Sequence, residues 1–257
     1  MRRRFTMLPQ AGDVEIMPDY CCFKALEDGM VVSLATSSSR VEYCIDNGAW
    51  KTLIGGQSTE AVNAGQVIAI ASTSVPTFKV VEKRFKLEGN VMSLIYGHNA
   101  KGATSMGNQS FQYLFDSQYF LIEISDYFLP ATTLTQRCYA QMFVACEQLE
   151  KGPKILPATT LADACYLNMF RNCISLKNAP ILPAPTPVAG CYNYMFMPTQ
   201  VSEVVCLAET WLSNCALNWL TGTPGQGVFY MSPNATWEEY GSDAIPNGWE
   251  VRIYEGE

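Results

Sequence analysis

A repeated block of sequence constrains this chain more than any other feature. The dipeptide Cys-Tyr begins at residues 138, 165 and 191, and Met-Phe begins at residues 142, 169 and 195, so the period is 27 and then 26 residues. Each block opens with Leu-Pro-Ala, at residues 129, 156 and 182. A period in this range is typical of proteins whose units stack on one another, because one unit cannot bury its apolar face alone. The region 129–199 therefore predicts a solenoid.

The second block indicates what each unit contains. Leu161, Cys165, Met169 and Cys173 follow one another at intervals of four residues, which places them on one face of an α-helix. The Pro-marked stretch 176–182 is too short for a helix, and we expect it to pair as a strand with its copies in neighbouring repeats. The prediction is one helix and one short strand per repeat, with equivalent Cys, Met and Phe side chains stacked inside.

The residues before the repeats follow a different pattern. Between about 20 and 95, short β-like runs alternate with turn signals such as Asp28-Gly29 and Asp46-Asn47-Gly48. Evenly spaced short strands indicate a small β-sandwich. The predicted fold class is α+β: a β-sandwich-like module, then a short helix-plus-strand solenoid with a C-terminal cap. The predicted divisions are a tether at 1–19, the β module at 20–97, the solenoid at 98–203, and the cap with its acidic tail at 204–257.

The charge balance and the length of the apolar runs exclude two classes of partner. Lys and Arg number 17 and Asp and Glu number 24, so the formal net charge is −7. A chain with no basic excess cannot neutralise nucleic-acid phosphates, so we expect no nucleic-acid partner. No apolar run approaches the ~20 residues that span a bilayer, so we expect no membrane insertion.

The cysteine spacing and the absence of known catalytic motifs predict no enzymatic or metal-binding site. The sequence has ten cysteines but no C-x₂-C pair, and His98 is its single histidine, so zinc spacing is absent. Five of the cysteines fall on the repeat, which favours reduced thiols packed inside. We interpret His98 as a solvated or structural loop residue and Glu238-Glu239 as a solvated acidic tip. The sequence also lacks G-x-S-x-G, P-loop, G-x-G-x-x-G and H-E-x-x-H motifs, so we predict no catalytic, cofactor or metal residue.

Two segments are candidates for contacts with other molecules. The non-core positions of the extended segments, among them Lys154, Lys177, Asn178 and Ile181, would form a repeated and mostly uncharged strip that either binds a partner or faces solvent. At the N-terminus, Arg2, Arg3 and Arg4 form either a frayed basic tail or a tether that docks on an acidic partner. The apolar stretch of an export signal does not follow these arginines, so we do not expect export by that route.

The repeat unit L-P-A-T-x-L-x₃-C-Y-x₂-M-F-x₂-C-x₂-L resembles the BspA-like leucine-rich repeats of Bacteroidales and their phages. The segments 42–50 and 89–97 look like the N-terminal module of short proteins in that group, and 227–237 and 245–251 look like their C-terminal closure. The resemblance implies a non-catalytic structural or binding protein, most simply a capsid- or tail-associated virion component assembled in the bacterial cytoplasm. Its expected partners are other virion proteins, in a homo- or hetero-oligomeric assembly, and a host surface protein or glycan. The alternative is a bacterial cell-surface adhesin.

Overall fold

Short β-strands make up most of the regular structure. The computed structural model describes residues 19–35, 39–80 and 82–256. Its helical segments are α1 (Ser93–Tyr96) and the 3₁₀ turn Gly97–Asn99. Its strands are β1 (Cys21–Ala25), β2 (Val32–Leu34), β3 (Arg40–Ile45), β4 (Lys51–Ile54), β5 (Val67–Ala71), β6 (Phe78–Val80), β7 (Phe85–Gly89), β8 (Leu121–Ile124), β9 (Glu203–Cys206), β10 (Val228–Met231) and β11 (Glu250–Ile253).

The largest sheet has the strand order β4-β3-β5-β1-β7-β8. Its neighbours are antiparallel except for β7 and β8, which run parallel with a register shift between Phe85 and Lys86. All five residues of β5 are apolar and buried, which suits a strand with neighbours on both sides and cover on both faces. The turn after β3 is made by Asp46 and Asn47 at φ 48° and 60°, a conformation that these two residue types tolerate well.

The antiparallel pair of β2 and β6 packs against this sheet. Phe23 of β1 meets Phe78 of β6 edge-on, with ring centroids 5.1 Å apart. The inner residues of both sheets belong to one apolar core that continues through the repeats to Trp249 near the C-terminus. The β module therefore packs face to face, as a small β-sandwich does.

The repeats contain no α-helix, so the predicted α+β fold, a leucine-rich-repeat solenoid with one helix in each repeat, is wrong. Within the described residues the one α-helix is α1, which has four residues and precedes the repeats. Each repeat is instead a series of four-residue turns. The Met169 N–H donates to the Tyr166 carbonyl three residues back, at 3.1 Å. The Asn168 N–H donates instead to the Asn193 backbone carbonyl in the next repeat, at 2.9 Å. An α-helix would direct both N–H groups to carbonyls four residues back.

The turns explain why the helical spacing was misleading. Every fourth residue adopts a left-handed conformation, and its N–H reaches the neighbouring repeat. A sequence period of four thus arises without a helix, because apolar residues recur once per turn. In the three predicted repeats these left-handed positions are Arg137, Gln141, Ala145, Ala164, Asn168, Asn172, Gly190 and Tyr194.

Equivalent side chains of successive repeats do stack inside the protein. Phe143 and Phe170 lie 5.6 Å apart with planes 7° apart, and Phe170 and Phe196 lie 5.8 Å apart. A parallel ladder joins Tyr139, Tyr166 and Tyr192, whose rings are fully buried. Offset stacks of this kind are favourable beyond their buried area.

On the opposite side of the repeats, extended segments pair in parallel. Isolated bridges join Glu123 of β8 to Lys151, Lys151 to Asn178, and Leu182 to Cys206 of β9. The strands β9, β10 and β11 then pair in parallel and end the series. The predicted strand of each repeat is thus reduced to single bridges, and regular strands form again only after residue 202.

Candidate functional site

A groove with a volume of about 830 Å³ runs along the outer face of these parallel segments. Ile181, Val205, Tyr230 and Tyr254 are among its lining residues, and so is Asp126, which follows β8. Small-molecule and cofactor sites have volumes of about 300–1,000 Å³, so the space is large enough for a few sugar or peptide residues.

The register of the strands puts these side chains in a row. Leu182 pairs with Cys206, so Ile181 lies beside Val205, and Val205 pairs in turn with Tyr230. Arg252 of β11 is the next partner of Tyr230. Neighbouring strands lie ~4.8 Å apart, so the row from Ile181 to Arg252 extends about 14 Å.

The alternate residues of the same strands hold the row in place. Val204, Cys206, Phe229 and Met231 point inward and are buried. At Gly227, just before β10, an added Cβ would lie 2.5 Å from the Ser202 carbonyl oxygen and 2.7 Å from the Trp249 ring. The close approach of three chain segments therefore requires glycine there.

The charges along the groove balance. Three of its lining residues are acidic and three are basic: Asp126, Glu203 and Glu255, and Lys151, Lys154 and Arg252. Several of these groups already have partners within the chain. Asp126 accepts a hydrogen bond from the Lys154 backbone N–H at 3.0 Å, and Arg252 pairs with Glu250 at 2.8 Å. A surface with this balance suits an uncharged ligand better than a strongly charged one.

A row of ion pairs continues from the groove across the six-stranded sheet. Glu123 lies between Lys86 and Lys151, at 2.6 and 2.8 Å. Burial raises the pKa of the Glu123 carboxyl, but the hydrogen bonds from Lys151 and Lys86 outweigh burial and leave the pKa below its ordinary value. Glu88 lies 3.7 Å from Lys24, and burial raises the pKa of Glu88. Charges on this face are thus largely matched within the chain.

The structure brings together three of the four residues predicted for the binding strip. Lys154, Asn178 and Ile181 all line the groove. Lys177 is not among the lining residues, and its ammonium group lies 3.5 Å from the Glu150 carboxylate. The predicted tether residues Arg2, Arg3 and Arg4 lie outside the described residues.

Sequence reasoning missed the groove residues contributed by β9, β10 and β11. Val205, Tyr230 and Arg252 come from segments that lack the repeat motif, so alignment of the blocks could not locate them. A usable signal was present in 228–231, where Val-Phe-Tyr-Met places Tyr230 opposite in direction to the buried Phe229.

The single histidine belongs to a separate surface cluster. His98 Nδ1 lies 3.0 Å from the Tyr20 hydroxyl and Nε2 lies 2.9 Å from a Glu42 carboxylate oxygen, with the Trp50 ring 4.6 Å away. Tyr20 and Trp50 pack on a small apolar cluster on the outer face of the sheet. Neither partner of the imidazole is a Ser or Cys, so the arrangement differs from a serine or cysteine nucleophile with its base.

The cysteines are buried free thiols. Burial raises the pKa of Cys138 and Cys215 to about 11 and that of Cys206 to about 12. Such thiols are protonated at neutral pH and are poor nucleophiles and metal ligands. Among the described residues, no group of three or more His, Cys, Asp or Glu side chains is placed to hold a metal ion. Cys146 and Cys173 instead donate S–H hydrogen bonds to the carbonyls of Phe115 and Phe143, whose rings lie one level earlier in the stack, at 3.2 and 3.1 Å.

No helix in the described part of the chain is long and apolar enough to cross a membrane. The resemblance to BspA-like proteins stays a prediction that rests on the motif, and the helix predicted for each repeat from its four-residue spacing is absent. Comparison with protein-family models, curated proteins and solved structures finds no match to this chain.

Proposed function

We propose that this protein is a non-catalytic binding component of a phage virion, and that the groove is its contact surface. The observation that carries the proposal is the groove itself: a row of side chains held on parallel strands, with balanced charges. The resemblance of the repeat motif to proteins of Bacteroidales phages supports the virion setting. The buried, protonated thiols and the paired charges of the outer face support a binding role over a catalytic one.

The side chains of the groove favour an uncharged partner such as a host glycan or an extended peptide segment. Tyr230 and Tyr254 offer aromatic rings with hydroxyl groups, and their centroids lie 6.4 Å apart. Asn178 offers an amide that both donates and accepts hydrogen bonds. Ile181 and Val205 provide apolar surface next to Tyr230. Aromatic rings of this kind combine an apolar face with a polar end, which suits the faces of sugar rings and peptide side chains.

Quantitative mass spectrometry of purified particles tests the virion setting. Particles from a lysed culture should contain this chain in a fixed ratio to the major capsid protein through successive density gradients. Loss of the chain during purification would refute the virion setting. Detection on intact, uninfected cells instead would favour the adhesin.

A binding assay on host cells tests the groove. The purified chain should bind fixed host cells, and the double variant Asn178→Ala, Tyr230→Ala should bind at least about tenfold more weakly, because two central contacts are removed. Lys177→Ala is the matched control, since Lys177 lies beside the groove without lining it. Equal binding by the double variant, the control and the unmodified chain would refute the role of the groove.

A further inference from the structure

The last strand of the parallel series has an open edge. β11 pairs on one side with β10 and ends the sheet, and no strand pairs with its other side in the part of the chain that the structure describes. Its burial is low, and the Ile253 side chain is 54% exposed. An exposed edge of this kind is a template for another strand, unless charge, proline or a covering segment protects it.

The backbone of β11 shows which groups the open edge offers. The Glu250 N–H donates to the Gly227 carbonyl and the Tyr254 N–H to the Met231 carbonyl, both at 2.8 Å. Residues 250, 252 and 254 therefore direct their backbone groups toward β10. Because the direction alternates along a strand, Val251 and Ile253 direct theirs to the open side.

The outer strand of the six-stranded sheet, β4, is protected by its own side chains. The Ile54 N–H of β4 donates to the Gln57 side chain at 3.1 Å, and Lys51 pairs with Glu60. A lysine and a local side-chain cap are common ways to protect an edge strand. In β11 the charged residues are instead Glu250 and Arg252, which have opposite signs and lie two residues apart.

We propose that β11 pairs with β11 of a second copy of this chain, antiparallel and centred on Val251. In that register Val251 faces Val251 of the other copy, and Glu250 of each copy faces Arg252 of the other. The free backbone groups allow this register, because a centre at Val251 makes the two valines exchange both N–H···O bonds, and among the registers they allow it is the one that places Glu250 opposite Arg252. It also converts the Glu250–Arg252 pair within each strand into a four-charge cluster shared between two strands.

The pairing would join two grooves. Arg252 lines the groove, and Val251 lies on the core side next to the buried Phe229, so the sheet continues across the two-fold axis on both faces. Two copies would present two grooves side by side, which raises the apparent affinity for a repetitive ligand. The inference does not depend on the virion setting, since it rests on β11 alone.

Charge reversal with sedimentation velocity tests the register. The full chain should form a dimer as its concentration rises from micromolar to millimolar. Glu250→Arg or Arg252→Glu alone should raise the dimer dissociation constant at least about tenfold, because like charges then face each other twice. The double variant Glu250→Arg, Arg252→Glu should return to within about threefold of the unmodified chain, because it restores both opposite-charge pairs. Glu147→Arg is the matched control, since it makes the same change in net charge at an exposed residue outside β11.

Two further variants separate loss of pairing from loss of folding. Val251→Pro removes an N–H that β10 does not use, so it should abolish the dimer and leave the circular dichroism spectrum unchanged. Val251→Cys should cross-link under mild oxidation, because the facing Cα atoms would lie about 5.5 Å apart. Ile253→Cys should not, since its two copies would lie about 14 Å apart.

Three outcomes would overturn the inference. One is a chain that stays monomeric over the whole concentration range. Another is a dimer that is indifferent to charge reversal at Glu250 and Arg252. The third is a dimer in which Ile253→Cys cross-links as readily as Val251→Cys, which would place the contact elsewhere or in another register.

Discussion

The substitution Ala145→Asn distinguishes a stack of turns from a stack of helices by the sign of its effect. Ala145 has φ 56°, and its N–H donates to the Arg171 carbonyl of the next repeat at 2.8 Å. The equivalent residue one repeat later is Asn172, which has φ 61° and an exposed side chain. The substitution therefore introduces a residue that the fold already accepts at the same place.

The magnitude follows from backbone preference. Asn is several-fold enriched over other non-glycine residues in the left-handed region, and an enrichment of about three- to fivefold corresponds to roughly 0.6–1 kcal/mol. We expect the variant to raise the free energy of unfolding by about that amount. In an α-helix the same substitution would lower it by about 0.6 kcal/mol, because Ala is the best helix former and Asn is a poor one.

Urea denaturation followed by tryptophan fluorescence measures the difference. Gln141→Asn should behave as Ala145→Asn does, since Gln141 has φ 57° and is equivalent to Asn168. Gln148→Asn is the control, because Gln148 is exposed and is not left-handed, and its effect should be near zero. A lower urea midpoint for both Ala145→Asn and Gln141→Asn, with an unchanged control, would refute the turn structure.

Three other substitutions or treatments test the core and the surface. Phe143→Ala should lower the free energy of unfolding by about 3–5 kcal/mol in urea, because the ring is fully buried between two stacked neighbours; a loss below about 1.5 kcal/mol would contradict the ladder. Iodoacetamide at pH 8 should label none of the ten cysteines in the folded protein and all of them in guanidinium, as read by intact mass; labelling of the folded protein would contradict their burial. Hydrogen bonds from Lys51 and Tyr43 lower the pKa of Glu60 from 4.5 to about 2, so their stabilising effect should be present above pH 4.5 and be lost as the pH falls toward 2. Glu60→Gln should weaken this pH dependence of the urea midpoint, and an unchanged profile would show that the contact contributes nothing.

The sequence predicted which residues are inside and failed to predict the backbone that carries them. The repeat aligned Cys138 with Cys165 and Phe143 with Phe170, and these residues are buried in the structure. The same four-residue spacing fits a helix and a series of four-residue turns, so periodicity alone could not separate them. Residues that favour left-handed backbone were the available signal: Asn168, Asn172 and Gly190 recur at turn positions and are poor helix formers.

The candidate site was predictable only where the repeat extends into it. Lys154, Asn178 and Ile181 occupy non-core positions of the repeated extended segment, and all three line the groove. Tyr230 and Arg252 lie on strands whose parallel pairing joins segments about 22 residues apart, with register Tyr230 to Arg252. Nothing local in the sequence specifies such a pairing, because parallel partners are brought together by the packing of the intervening chain.

The turn structure also explains why the repeats are flanked by two other elements. In a stack of this kind each repeat contacts only its neighbours, so the first and last aromatic rings would face water unless something covers them. At one end Phe78 of the β module stacks on Phe115, at 6.1 Å and 7°, and Phe115 stacks on Phe143. At the other end Trp219 stacks on Tyr192 at 5.8 Å, and its indole N–H donates to the Ala244 carbonyl. The β module and the C-terminal strands therefore act as caps: the groove runs from the stack onto the second cap, and the open edge of β11 is the side of that cap farthest from the stack.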